Sequence, residues 1–235
     1  MGWMTDERGL EKTEANYVAL TPLSHLRRAA QVFANRTAVV YGAHRVSYSE
    51  YYSRCTRLAS ALSKMNITPG DVVATLIPNL PAQAEAHFGV PASGAVLNTI
   101  NTRLDVATVA YIFDHGEAKI VLVDTQFIDL AEAASAQMDG PAPVIIEVAD
   151  TAHGWSKTNN HIEYEDLLAN GDPKFDWIMP SDEWESISLN YTSGTTGLPK
   201  GAMLTHGNIV WNNVNASLAF GANKSDVLLT AAPLF

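Results

Sequence analysis

The stretch SISLNYTSGTTGLPKGAML, residues 186–204, decides how this chain is read. Residues 186–190 read as a short strand, and they run directly into Tyr191-Thr192-Ser193-Gly194-Thr195-Thr196-Gly197-Leu198-Pro199-Lys200-Gly201. Three glycines there can take backbone angles that other residues avoid, so successive N–H groups can turn toward an anion. Thr192, Ser193, Thr195 and Thr196 add hydroxyl donors, Lys200 adds a compact positive charge, and Pro199 stiffens the approach to it. Little in the segment suits a core, and the ligand that best matches this set of groups is a polyphosphate. Gly, Ser and Thr also dominate ordinary surface loops. Eleven residues in this order, between a strand and the apolar Ala202-Met203-Leu204, are more specific than that alternative requires. The NTPase pattern GxxxxGK[ST] does not fit, because Lys200 follows Pro199 and precedes Gly201. GxSxG, HExxH and GxGxxG are also missing, which weakens hydrolase, zincin and dinucleotide-binding readings.

Upstream, the sequence punctuates into alternating elements. Thr21 and Pro22 read as the N-cap and first position of a helix carrying Leu23, Leu26, Ala30 and Phe33. Residues 39–41 and 45–48 flank Gly42-Ala43-His44 as a short hairpin, and Ser47 with Glu50 forms a capping box. Tyr51, Cys55, Leu58, Leu62 and Met65 then recur at helical spacing, before the turn Pro69-Gly70-Asp71. Cys55 lies on that apolar stripe and reads as a small core residue rather than a reactive thiol. From Val72 the pattern is strand 72–77, helix from Pro81, strand 95–98, helix 105–115 closed by Gly116, strand 119–123, helix 128–137 and strand 144–148. Residues 151–161 read as a polar loop. This rhythm predicts an α/β fold with a parallel or mixed sheet covered by helices on both faces, and ligands beyond the carboxyl ends of its strands.

Composition sets outer bounds. The chain has 235 residues, 47% hydrophobic and 17% charged, enough for one large domain or two small ones. Its apolar runs fall short of the roughly 20 residues of a membrane span. The polar, acidic N-terminus lacks the pattern of a secretory signal. A single cysteine suits a reducing compartment, and a cytoplasmic setting is expected. A net charge of −10 disfavours nucleic acid as a partner. His25, His87 and His206 lack ligand spacing, and each is expected to cap a helix or lie on the surface.

The 191–201 segment resembles the signature phosphate loop of the acyl-adenylate-forming (AMP-binding) enzymes: acyl-CoA synthetases, aryl-CoA ligases, luciferases and peptide-synthetase adenylation domains. Other segments match the family in order. Val46-Ser47-Tyr48-Ser49-Glu50-Tyr51 resembles its L-T-Y-x-E-L segment, Gly70-Asp71-Val72-Val73-Ala74 its GDxVA strand, and residues 94–101, GAVLNTIN, a third. Asp182-Glu183-Trp184 and Leu204-Thr205-His206-Gly207-Asn208 also match acyl-CoA synthetases. With Arg103-Leu104-Asp105, residues 95–101 are closest to synthetases of short and medium chains. Whether that stretch touches substrate or only packs the sheet is left open.

The resemblance implies the luciferase-like fold, with residues 1–20 as an arm and 21–235 as the N-terminal portion of the large domain. A subdomain boundary is expected near residues 150–185. It implies attack by a carboxylic acid on the α-phosphorus of Mg-ATP, then transfer of the acyl group from the adenylate to coenzyme A. Thr192, Ser193, Gly194, Thr195, Thr196, Gly197, Lys200 and Gly201 would hold the ATP phosphates. The family's adenine, ribose and magnesium segments, its hinge, and the lid domain with the catalytic lysine match no position here. No catalytic lysine or metal ligand is therefore assigned. An inactive module with the same fold, or another branch of the superfamily, is the alternative.

Overall fold

The structure is a computed structural model that describes residues 9, 11–158, 160–192 and 197–234. Helix α1 (Leu23–Val32) begins one residue later than the sequence suggests, because Pro22 takes the boundary position. The hydroxyl of Thr21 still accepts from the Leu23 N–H, at 3.2 Å. Strands β1 (Thr37–Tyr41) and β2 (His44–Ser47) form the expected antiparallel hairpin, turning at Gly42, whose φ is 55°. Strand β2 stops at Ser47 because that residue caps α2 (Tyr48–Lys64): its Oγ accepts from the Glu50 N–H, while the Glu50 carboxylate accepts from the Ser47 N–H.

The centre is a mixed sheet in the order β7-β6-β5-β3-β4-β8-β9. Its strands are β3 (Val72–Leu76), β4 (Val96–Thr99), β5 (Ala118–Asp124), β6 (Val144–Val148), β7 (Ile162–Glu163), β8 (Ser186–Thr192) and β9 (Lys200–Thr205). All neighbours pair in parallel except β8 with β9. The helices between them are α3 (Pro81–Ala92), α4 (Val106–His115), α5 (Ile128–Ser135) and α6 (Tyr164–Ala169), and α7 (His206–Phe220) follows β9. Both faces of the sheet are covered, as the alternating pattern predicts.

Period-two alternation sorts the strand side chains. Val73, Ile77, Leu97, Ile120, Leu122 and Ile146 face α2, α3 and α6, burying against Leu58, Leu62, Ala86, Val90, Leu167 and Leu168. Ala74, Leu76, Val121 and Val123 face α4 and α5, against Val109, Ile112, Phe113, Ile128 and Ala131. Outside α2, Leu23 and Leu26 of α1 close over Tyr51, Cys55 and Ala59 with Trp177. Cys55 is fully buried there, and burial pushes its thiol pKa up, as its place on the apolar stripe implies. Helices α2 and α3 pack closely because Gly89 has no side chain: a Cβ there would lie 2.7 Å from Leu58 Cδ2.

Four elements escape the sequence reading: β7, α6, β9 and α7. The 151–161 stretch contains one short 3-10 turn at Thr151–His153. Beyond it, β7 joins the sheet edge, and α6 buries Tyr164, Leu167 and Leu168 against the same core.

Candidate phosphate-binding site

The signature segment is a β-hairpin. Strand β8 runs parallel to β4, so its end lies on the carboxyl edge of the sheet, where a ligand is expected. Strand β9 returns antiparallel, with Asn190 opposite Ala202, Tyr191 opposite Gly201 and Thr192 opposite Lys200. Tyr191, Thr192, Lys200 and Gly201 therefore belong to paired strands and not to a loop, which corrects the boundary read from composition. Gly201 sits close against β8: a Cβ there would come within 2.9 Å of Leu189 Cδ1 and into ordinary contact, 3.5 Å, with the Tyr191 ring.

Thr192 and Lys200 are the last facing pair. Both are exposed, and among the described residues the Thr192 hydroxyl reaches only the Lys200 carbonyl, at 3.5 Å. The two residues thus face one another at the rim of the sheet. Gly197 is exposed just before the return strand. Ser193, Gly194, Thr195 and Thr196 lie outside the described residues.

Below the rim the hairpin is tied to its neighbours. Asn190 Nδ2 donates to Thr99 Oγ1 of β4 at 3.3 Å, and the Ser188 hydroxyl donates to Asn190 Oδ1. Tyr191 Oη lies 2.7 Å from His115 Nδ1 at the end of α4. Asn98, in the GAVLNTIN stretch, is fully buried beside this point, and both its amide atoms lack a partner among the described residues. In the neighbouring turn, Asp105 Oδ1 accepts from the Thr108 N–H at 2.9 Å, capping α4.

Two of the three histidines depart from the expected capping or surface role. His206 is buried, with Nδ1 2.8 Å from Thr21 Oγ1. His87 is half-buried, with Nε2 3.0 Å from the Leu234 carbonyl. Burial lowers the pKa of both. His25 is exposed, as expected.

A separate cavity of about 430 Å³ lies beyond β6, between α2, α3 and α6. Several of its polar groups pair across the elements that line it. Glu85 takes Arg54 at 2.6 Å and the Tyr164 hydroxyl at 2.7 Å, and Asp150 takes the hydroxyl of Tyr41 at 2.7 Å. Nothing local could reveal this cluster, since its members lie far apart in the chain and meet only through helix packing.

Fold and site together define an α/β domain, covered on both faces, that presents a Gly- and Thr-rich hairpin at the carboxyl edge of its sheet. Within that class the chain belongs to the AMP-binding enzyme family, whose model matches residues 26–235. It is 43% identical to an acetate/butyrate–CoA ligase of Arabidopsis thaliana named as peroxisomal, over 96% of this chain and 42% of the relative. It is 41% identical to an acetate–CoA ligase of Humulus lupulus, again over 96% of this chain and 42% of the relative. The chain thus spans less than half the length of these relatives. Among solved structures, a benzoate CoA ligase from Burkholderia xenovorans superposes with a TM-score of 0.79 at 22% identity, over 91% of this chain and 40% of the other. A long-chain fatty-acid CoA ligase from Archaeoglobus fulgidus gives 0.77 at 22%, over 89% and 41%. These two superpositions bear out the expected fold.

Proposed function

We propose that the complete protein activates a short-chain carboxylic acid with ATP to an acyl-adenylate and passes the acyl group to coenzyme A. The chain described here supplies the phosphate hairpin as part of the N-terminal portion of the adenylate-forming domain. One observation carries the reading: in a member of the AMP-binding family, the signature segment forms a hairpin on the carboxyl edge of the sheet, with Thr192 and Lys200 paired at its rim. Relatives named for acetate and butyrate support a short aliphatic acid.

When the carboxylate oxygen attacks the α-phosphorus, negative charge builds on the departing pyrophosphate. Groups fixed in advance where charge develops lower the barrier. Lys200 supplies a full positive charge and Thr192 a hydroxyl. Ser193, Thr195 and Thr196 add donors, and Gly194, Gly197 and Gly201 permit the shape. Magnesium is proposed to enter with ATP. Among the described residues no group of three or more His, Cys, Asp or Glu is placed to hold a metal ion. The buried thiol of Cys55 fits a reducing, cytoplasmic setting, although relatives named as peroxisomal make the imaging of the tagged complete protein worthwhile.

Carboxylate-dependent exchange of pyrophosphate into ATP tests the proposal. The complete enzyme is expected to show it with acetate or butyrate, and replacing Thr195 and Thr196 together by Val is expected to lower ATP affinity or turnover. No exchange with any short acid would overturn the activity, and unchanged exchange in the double variant would overturn the site. Hydroxamate formation by the 235-residue chain alone would show that it is self-sufficient, which we do not expect.

A further inference from the structure

One side chain near the rim of the phosphate hairpin reaches across to the end of α4. Tyr191, the residue before Thr192, points its hydroxyl at His115 Nδ1, 2.7 Å away, across 76 positions of sequence. His115 ends α4, and its ring is held from the other side by Tyr111, one helical turn earlier, with ring centres 5.1 Å apart and planes 28° from parallel. Tyr111 meets the Tyr191 ring edge-on at 6.4 Å, and His115 meets it edge-on at 5.7 Å. The three rings form one closed cluster joining the end of α4 to the last residues of β8.

Two glycines border it. Gly201 lies opposite Tyr191 on β9, where a Cβ would be in ordinary contact with the ring at 3.5 Å. Gly116 follows His115, and a Cβ there would lie 3.4 Å from the Tyr191 hydroxyl, 3.2 Å from Asn98 Nδ2 and 2.8 Å from the Ile112 carbonyl. Burial holds the Tyr191 phenol up to about 12, so the hydroxyl keeps its proton at neutral pH and can donate to the imidazole. Among the described residues, β8 is otherwise attached through its parallel pairing with β4, the Asn190–Thr99 bond and the β9 ladder, and β9 is itself an exposed edge strand.

We infer that Tyr191 and His115 are positioning residues that set the height and angle of the phosphate hairpin, holding Thr192 and Lys200 at the place where the ATP phosphates bind. On this inference their effect on ATP needs no direct contact with it. Tyr191 acts through its backbone neighbour Thr192 and through the paired strand that carries Lys200. The inference rests on the phosphate-binding reading of the hairpin, but the tether itself can be tested without it.

The experiment has two arms, with Tyr191→Phe, His115→Phe and His115→Asn. The first substitution keeps the ring contacts and removes only the hydroxyl. Of the two changes at His115, asparagine restores an acceptor, whereas phenylalanine does not. In the first arm, amide hydrogen exchange of the 235-residue chain and of the complete enzyme is followed at residues 190–192 and 200–202. Exchange about three- to tenfold faster is expected in Tyr191→Phe and His115→Phe, with partial recovery in His115→Asn, the size expected when one neutral hydrogen bond is lost. In the second arm, pyrophosphate exchange by the complete enzyme is measured. A rise of about three- to tenfold in KM for ATP is expected on the same grounds, with KM for the carboxylate unchanged and His115→Asn again recovering part of the loss. A merely structural role would not separate the two KM values. Unchanged protection in Tyr191→Phe overturns the tether. Altered protection with an unchanged KM for ATP overturns its positioning role. Absence of pyrophosphate exchange in the unmutated enzyme overturns the proposed function instead, and the first arm still decides the tether.

Discussion

Arg54 Nε lies 2.6 Å from Glu85 Oε1, and the Glu85 side chain is 1% exposed while that of Arg54 is 30% exposed. The pair joins α2 to α3, and Arg54 reaches on to Glu165 of α6 at 2.6 Å. Burial raises the Glu85 pKa even against Arg54. Burial opposes the Arg54 charge too, but its bonds to Glu165 and Glu85 outweigh that and hold it protonated. Removing one partner of a buried pair is costly because the other is left charged without compensation. Arg54→Met should therefore lower stability by about 3 kcal/mol at neutral pH, the lower end of the usual range because Arg54 is partly exposed.

The sign of its pH dependence follows from the raised Glu85 pKa. Between the ordinary carboxylate range and that raised value the folded chain holds more protons than the unfolded one. The contribution is complete below the ordinary carboxylate range and is lost as pH rises through the folded-state pKa. Denaturant melts of Arg54→Met should show recovery from pH 7 to pH 5, and Glu85→Gln in the same background should recover part of the loss at pH 7. A flat pH response would rule out the buried carboxylate as the cause.

Gly171 is packed more tightly than Gly89, and the difference should be measurable. A Cβ at 171 would lie 2.2 Å from the Arg57 carbonyl oxygen, which is backbone of α2 and has no freedom to move away. A Cβ at 89 would meet only the Leu58 side chain, at 2.7 Å. Gly171→Ala is expected to cost about 3 kcal/mol and Gly89→Ala about 1 kcal/mol, the latter softened by the better helix propensity of alanine. In a double-mutant cycle Leu58→Ala should relieve the Gly89→Ala strain, so the two changes together should cost less than their sum. Additivity would mean that the α2–α3 contact is not what Gly89 allows.

The contrast between these glycines and the motif shows what the sequence could and could not reveal. Elements from α1 to β6 were legible because they carry local signals: the Ser47–Glu50 capping box, the stripe through Cys55 and Leu58, and Gly116 closing the helix that begins near Asp105. The segment's polar, glycine-rich character was legible because it is written locally in Gly194, Gly197, Thr195 and Thr196, and strand β8 was legible in the run leading into it. Strand β9 was not, since its burial runs exposed through residues 200–203 and it lacks an alternating apolar pattern. Helix α7 was missed for a related reason: Trp211, Leu218 and Phe220 are exposed, so its apolar residues mark no stripe facing this core. His206 and His115 could not be read at all, because their partners Thr21 and Tyr191 are distant in the chain and the pairing exists only after folding.

His206 and His87 make a second pH prediction, of opposite sign to Glu85. Burial lowers both imidazole pKa values, with Glu185 opposing it at His206 and the Leu234 carbonyl opposing it at His87. An unfolded histidine takes its proton near roughly 6.5, before the folded one does. Their contribution is present above the ordinary imidazole range and is lost as pH falls toward the lowered values, by no more than about 1.4 kcal/mol per pH unit for each ring. Thermal melts of the unmutated chain should lose stability from pH 7 to pH 5.5. Replacing His206 by Gln should flatten that slope. Because Glu85 works in the other direction, the informative quantity is the difference between variant and parent at each pH; an unchanged slope in His206→Gln would show that this ring does not titrate with folding.

Lys200 separates function from folding most cleanly. It sits exposed at the first position of β9, opposite Thr192. Lys200→Met should therefore leave stability within about 0.5 kcal/mol of the parent. In the complete enzyme it removes the one full positive charge on the described part of the hairpin rim, where the pyrophosphate charge is proposed to develop. Loss of one such group typically costs about a hundredfold, and the drop is expected in kcat/KM for ATP. Lys200→Arg should recover only part of this, because a planar guanidinium spreads its charge and needs a different approach from a compact ammonium. If Lys200→Met melts normally and exchanges pyrophosphate at the parental rate, the hairpin holds the phosphates through its backbone and hydroxyls alone, and Lys200 has no part in stabilising the leaving group.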